Sequence, residues 1–357
     1  MENNNKKRWR KVLFGVLVLI GILLFMGIMI FRHYYTLLDI QVEQENTELV
    51  SHELLQEDIE DAFMKMEAEE NVDEEQTDEA EMLEENFFQD IEISGEEAFN
   101  IMLLGIDSRN DDYSGRTDAM ILFSINPDTK KAVMTSFLRD MYVNIPGYGG
   151  NRLNTAYALG GTNLLSKTIS NNFGIEIDDF VLVNFALVMD VVDAFHGVEI
   201  GIETEEIEYL NGYLKEHNRL LNNPEKTDYL TTDDVGTRLL NGSQALAYAR
   251  IRYVGTDFGR TSRQREIISV LLNKMKDMNI KEINNLLEQF LPRVRTNLSQ
   301  KDLATLLFMS LGIKDYTIES MAIPVDNTWK YSQIRGMSVI EVDFKANAKA
   351  WYDTIKE

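Results

Sequence analysis

Twenty consecutive residues without a charge, Val12 to Phe31, constrain this chain more than any other feature. A helix rising ~1.5 Å per residue would carry that run across about 30 Å, the hydrocarbon thickness of a bilayer. A cleaved export signal has a shorter apolar stretch followed by a small-x-small site, and neither is present. Lys6, Lys7, Arg8, Arg10 and Lys11 precede the run, and Arg32 alone follows it closely. That asymmetry places the N-terminus inside. The sequence thus predicts a basic cytoplasmic tail at 1–11, a transmembrane helix at 12–31 and everything after Arg32 outside the cell membrane.

The net charge of −24 is concentrated in one segment. Residues 39–97 hold 24 acids against one base, Lys65, so the remainder of the chain is close to balanced. Within it, Leu55, Ile59, Phe63 and Met66 keep helical spacing, which predicts a short amphipathic helix near the membrane. From about Glu67 to Glu85 there is too much like charge and too little apolar surface to fold alone. Residues 32–97 are read as an acidic, partly disordered stalk. No broad basic surface exists for a duplex, so nucleic acid is not an expected partner. The chain has no cysteine, which excludes disulfides and thiolate chemistry.

Residues 98–357 are expected to form the folded domain. Apolar runs at Phe99–Gly105, Asp118–Asn126 and Lys131–Leu138 read as strands, the last two joined by the turn Asn126-Pro127-Asp128-Thr129-Lys130. A strand at Tyr142–Pro146, a loop at Gly147–Gly150, a helix after Gly160-Gly161 to about Phe173 and a strand at Asp179–Phe185 follow. Next come a helix to about Phe195 and a strand at Val198–Ile202, then a polar surface excursion over residues 204–232. Asn241 is placed to cap a helix to about Ala249. Gly259-Arg260 is expected to open one long helix from Thr261 to about Phe290. A helix at 299–312, strands at Thr317–Ile323 and Ser338–Val342 and a terminal helix complete the reading. Strands and helices alternate irregularly, which predicts an α/β fold, an α-β-α sandwich around a central mixed sheet.

Two groups of charged residues point to chemistry. The up-down-up arrangement of the first three strands brings Asp107, Arg109, Arg116, Asp118, Arg139 and Asp140 to one rim of the sheet. Two carboxylates beside arginines can hold a divalent cation while the arginines hold phosphate oxygens. Equally, Asp107 and Asp118 can cap turns while Arg139 pairs with Asp140. The second group is Leu246–Arg265, with Arg250, Arg252, Arg260, Arg263 and Arg265 around the single acid Asp257. Arg250 and Arg252 alternate with Ile251 and Tyr253, and on a strand they would share one face. A solvated basic face competes with an anion site there, and forked two-point recognition of phosphate favours arginine. Gly161–Thr168, GTNLLSKT, misses the phosphate-cradling pattern by one glycine and follows no strand. His33, His52, His196 and His217 form no HExxH zinc motif, and no GxSxG elbow is present.

Taken together, GIDSRNDDYSGRTDAMILFSINPDTKK, SFLRDMYVNIPG, RLNTAYALGG, DDFVLVNFALVMDVVDAFHGVEI and LNGSQALAYARIRYVGTDFGRTSRQREII resemble the LytR-CpsA-Psr family of cell-envelope proteins. They run in order over roughly residues 99–270. The resemblance implies a membrane-anchored phosphotransferase outside the cell. Such an enzyme moves an anionic glycopolymer, of teichoic acid or capsule type, from a polyprenyl-pyrophosphate carrier to peptidoglycan. It implies Mg2+ (or Mn2+) held by Asp107 and Asp118, and pyrophosphate held by Arg116, Arg139, Arg250, Arg252 and Gln264, with Arg260 and Arg263 assisting. Asp257 matches an acidic position that orients groups or accepts a proton. Phe180–Phe195 corresponds to the wall of a lipid tunnel, although a plain core strand and helix also accounts for it. The chain is about two residues shorter than the usual family loop between Arg252 and Asp257. Arg152 replaces a common lysine and His196 a common glycine. Two alternatives share these residues: hydrolysis of the lipid pyrophosphate, and a non-catalytic lipid-binding regulator of envelope synthesis.

Overall fold

In a computed structural model of the chain, the structure describes residues 32–40, 98–106, 117–310 and 315–356. The expected span at 12–31, the amphipathic segment at 55–66 and almost all of the stalk lie outside those residues, as do Asp107, Arg109 and Arg116. Among the described residues no helix is long and apolar enough to cross a membrane.

Thirteen strands and eight α-helices follow in chain order among the described residues from Asp39 onward. They are β1 (Asp39–Ile40), β2 (Phe99–Ile106), β3 (Thr117–Asn126), β4 (Lys131–Phe137), β5 (Tyr142–Ile145), β6 (Gly149–Arg152) and α1 (Leu153–Phe173). Then come β7 (Asp179–Asn184), α2 (Phe185–Ala194), β8 (Val198–Ile202), α3 (Thr204–Leu221), β9 (Gly236–Leu240), α4 (Gly242–Arg250) and α5 (Thr256–Lys276). The last are α6 (Ile280–Phe290), β10 (Arg295–Thr296), α7 (Gln300–Ser310), β11 (Thr317–Ile323), β12 (Trp329–Ile334), β13 (Met337–Val342) and α8 (Phe344–Lys356).

Seven strands form the main sheet in the order β1-β10-β7-β2-β3-β4-β11. β2 and β3 pair antiparallel, as do β3 and β4, whereas β2 with β7 and β4 with β11 are parallel. The mixed sheet expected from the sequence is present. Strict alternation along β2 puts Met102, Leu104 and Ile106 on one face, where they pack with Leu122, Val133 and Phe137. Helices α1 and α8 cover that face through Leu165, Ile169, Phe173, Trp351 and Ile355. Ile121, Ala132 and Met134 are buried as well, so both faces of the central strands are covered. A second apolar cluster lies beside the sheet. Val192, Val198, Ile200, Leu210, Leu214, Leu240, Ala245 and Ile267 join α2, β8, α3, β9, α4 and α5 there.

Several local expectations change. The polar excursion contains α3, whose Ile207, Leu210 and Leu214 bury one stripe of an otherwise charged helix. A capping box between Glu203 and Glu206 starts it. The long helix expected at 261–290 is two. α5 ends at Lys276, and Asn279 starts α6 by accepting from the backbone N–H groups of Lys281 and Glu282. Gly147–Gly150 is partly strand, since Gly149–Arg152 pairs with Tyr142–Ile145. Arg250 and Arg252 share no strand. Arg250 is the last residue of α4, and Ile251 turns the chain into extended conformation (φ −61°, ψ 122°) before Arg252. The alternation that resembles a strand is one helix end followed by one extended residue.

Candidate active site

Register between β3 and β4 builds the rim. Ile121 faces Ser136, so continuing that pairing outward by three residues sets Asp118 opposite Arg139. The two side chains meet, with Arg139 Nη1 donating to Asp118 Oδ1 at 3.0 Å. The second arginine stretch arrives at the same atom from across the molecule. Arg252 Nη2 donates to Asp118 Oδ1 at 2.9 Å, and Arg260 Nη1 lies 3.9 Å from it. Three guanidinium groups therefore converge on one carboxylate oxygen.

A ring of acids surrounds this convergence. Asp257, in the first turn of α5, lies 3.2 Å from Arg260 Nη2, one helical turn along. Asp140 Oδ2 lies 3.3 Å from Arg139 Nε and its Oδ1 lies 3.6 Å from Arg152 Nε. The negative charge of Asp257 is close enough to act on Asp140 and raises its pKa. With the short loop, Asp257 lies beside Arg260. Gly255 (φ 76°) and Thr256 (φ 61°) take left-handed backbone and start α5 several residues earlier than its sequence suggests. Gly259 permits that tight start, because a Cβ there would come within 2.7 Å of the Val254 carbonyl oxygen.

Burial sets the electrostatics. Arg260 is 1% exposed, and none of its N–H groups has a protein acceptor in hydrogen-bond geometry. Desolvation lowers its pKa, and Arg139 and Arg252 add to that against the opposing pull of Asp257 and Asp118. Burial works against the Arg139 charge too, but Asp140, Asp118 and Asp257 outweigh it and its pKa is raised. Desolvation raises the pKa of Asp140, and Asp257 pushes the same way while Arg139 and Arg152 oppose. Four arginines and three aspartates thus lie nearly balanced in a half-buried site. Incoming anionic oxygens would find guanidinium donors already fixed in place.

The remaining expected residues divide. Arg250 is held outside this cluster. Its guanidinium lies over Tyr213 (4.7 Å to the ring centroid) and Phe185 (5.4 Å) and bonds Glu216 Oε2 at 3.3 Å. Gln264 donates to the Ala249 carbonyl at 3.5 Å, while its Oε1 is buried without a donor. Arg263 joins a different network from the one expected. Its Nε donates to Glu206 Oε1 at 2.7 Å, its Nη1 donates to the Ile251 carbonyl at 3.3 Å, and both side chains of the pair are buried. It therefore props the backbone between Arg250 and Arg252. Asp140 pairs with Arg139, one of the two arrangements the sequence allowed, whereas Glu206 is the residue that sequence reasoning left without a role here. The Glu203–Glu206 capping spacing was a readable sign of α3, but nothing local showed Arg263 as the partner.

The sequence profile of the LytR_cpsA_psr family matches residues 62–356. The chain belongs to that family. Biofilm regulatory protein A of Streptococcus mutans is 32% identical over 220 residues, covering 58% of this chain and 51% of that protein. The polyisoprenyl-teichoic acid–peptidoglycan teichoic acid transferase TagU of Enterococcus faecalis is 32% identical over 219 residues, covering 60% of this chain and 66% of that protein. The chain thus spans between about half and two-thirds of the length of these relatives. Among solved structures, the Bacillus subtilis LytR-CPS2A-psr family protein YwtF (TagT) with bound octaprenyl pyrophosphate lipid superposes with a TM-score of 0.54 and 28% identity. That match covers 73% of this chain and 90% of that one.

Proposed function

We propose that this family member is a membrane-anchored phosphotransferase acting outside the cell. Its donor is an anionic glycopolymer of teichoic acid or capsule type on a polyprenyl-pyrophosphate carrier, and its acceptor is peptidoglycan. The observation that carries the reading is the convergence of Arg139, Arg252 and the buried Arg260 on Asp118. A relative named as a teichoic acid transferase and a structural neighbour holding octaprenyl pyrophosphate support it. The anchor rests on the uncharged run Val12–Phe31 and its basic flank.

In the reaction, an acceptor hydroxyl oxygen forms a bond to the glycan-side phosphorus and the bridging P–O bond breaks. Polyprenyl phosphate leaves, and the hydroxyl proton passes to a carboxylate. Asp257 is the described candidate for that base and Asp107 the other. Arg139, Arg252 and Arg260 neutralise the charge that builds on the leaving phosphate, and their fixed positions mean little reorganisation during transfer. Arg116, Arg250 and Gln264 would extend the pyrophosphate cradle, Arg250 by giving up Glu216 and Gln264 by giving up the Ala249 carbonyl.

The acids fit a hard cation. Asp257 Oδ1 is buried with no hydrogen-bond donor, facing only the Arg260 guanidinium at 3.2 Å. Among the described residues no three His, Cys, Asp or Glu side chains already form a metal-binding group. Asp118, with Asp107, would hold Mg2+ (or Mn2+), which supplies charge neutralisation at the phosphates.

The test incubates the protein with a polyprenyl-pyrophosphate-linked glycan and peptidoglycan fragments, followed by mass spectrometry. A glycan-phosphate adduct that needs Mg2+ and is lost in Asp118→Asn is expected. Polyprenyl phosphate released without adduct would replace transfer by hydrolysis, and lipid binding without turnover would leave only a regulator.

A further inference from the structure

Next to Arg252 the surface displays two large aromatic side chains, one of them mostly exposed. Tyr253, adjacent to Arg252, is 76% exposed, and Tyr209 on α3 is 36% exposed. Their rings stack with centroids 5.4 Å apart and planes 22° from parallel. An ordered apolar pair kept in water marks a contact surface.

This pair adjoins the site through Arg252 and the flanking Arg250. Tyr213 lies one helical turn beyond Tyr209 on the same side of α3, and its ring carries the Arg250 guanidinium. Tyr253 follows directly on Arg252, which reaches Asp118. A phosphate taken by Arg252 would leave its substituent within reach of the neighbouring tyrosine.

We propose that Tyr209 and Tyr253 form the platform for the sugar ring attached to the pyrophosphate of the donor, an assignment that rests on the phosphotransfer reading above. A pyranose has a face of C–H groups flat enough to lie on an aromatic ring, whose π-cloud is electron-rich. Its hydroxyls remain at the edge, where water and the phenol oxygens can bond them. The platform carries no charge of its own, so it selects a ring, not a phosphate.

The test measures binding of three probes to the full-length protein: bare polyprenyl pyrophosphate, the same carrier bearing one pyranose, and a soluble peptidoglycan glycan fragment. Tyr253→Ala and Tyr209→Ala are each expected to weaken the sugar-bearing carrier by about tenfold, equivalent to ~1.4 kcal/mol, and to leave the bare carrier unchanged. Tyr253→Phe should retain most of the affinity, because the stacking face survives. An equal loss for the bare carrier would mean that the arginine segment has shifted, and overturns the platform. So does an unchanged affinity for both carriers. Weakening confined to the wall fragment would overturn the donor assignment in favour of the acceptor. Wild-type protein that ignores bare carrier would instead sink the phosphate-site reading, a result seen independently of either tyrosine variant.

Discussion

At the scale of single residues, two buried arginines of α5 do opposite things. Arg260 is charged, buried and without a hydrogen bond from its guanidinium, an arrangement held only by its ion pairs. Unsatisfied donors beside Asp118 are spare binding capacity for an anion. Arg260→Lys keeps the charge but loses the planar fork, and transfer should fall by roughly 100-fold, read as initial rate of adduct formation. An unchanged rate would remove Arg260 from the site. Arg263, three residues on, spends its donors on Glu206 and the Ile251 carbonyl. Glu206→Ala should therefore leave an unpaired buried charge and cost roughly 3–5 kcal/mol, measured by denaturant unfolding. The paired change Glu206→Leu with Arg263→Met should recover much of that. Additive losses would show that the two residues do not act as a pair.

At the scale of elements, the arginine segment is placed by what packs under it. Gly242 starts α4 against α2 so closely that a Cβ would sit 2.3 Å from the Met189 carbonyl oxygen. Asp193 Oδ1 accepts from the Gly242 N–H at 2.7 Å and locks the contact. Gly242→Ala must push α4 away, and Arg250 at its far end moves with it. We expect a loss of about 1–3 kcal/mol together with weaker lipid pyrophosphate binding. Stability lost with binding intact would separate α4 from the site. Much of this layer was legible. Asn241 capped α4 as its sequence indicated, with Oδ1 accepting from Gln244 N at 2.9 Å. The helix between β8 and β9 was not legible because polar residues far outnumber the three apolar ones that α3 buries, and local composition does not show which stripe finds a partner.

For the whole molecule, the opposite end of the sheet gives a titratable handle on stability. Asp179, at the start of β7, is 5% exposed, and burial raises its pKa to about 6, with Asp302 and Asp178 adding to the effect. An acid that binds its proton more tightly folded than unfolded stabilises the fold below its unfolded value near 3.8, and that contribution is lost as pH rises through about 6. Stability should therefore fall between pH 4 and pH 7 by on the order of 1–2 kcal/mol through this group. Asp179→Asn should flatten that part of the profile in thermal unfolding. A profile identical to wild type would rule the group out.

The sequence by itself determined most strands of the main sheet and one half of the site. Alternating apolar residues, the Asn126–Lys130 turn and the β3–β4 register together set Asp118 opposite Arg139, because strand pairing is a short-range constraint. It also marked the second arginine stretch as unusual in an acidic chain. Only the tertiary structure decided which of those arginines reach Asp118, since Arg252 meets it across 134 residues of chain. Residues spaced alike along α5 face different neighbours, and burial then makes Arg260 a spare donor and Arg263 a prop. Spacing shows which side chains share a face, while packing decides what that face meets.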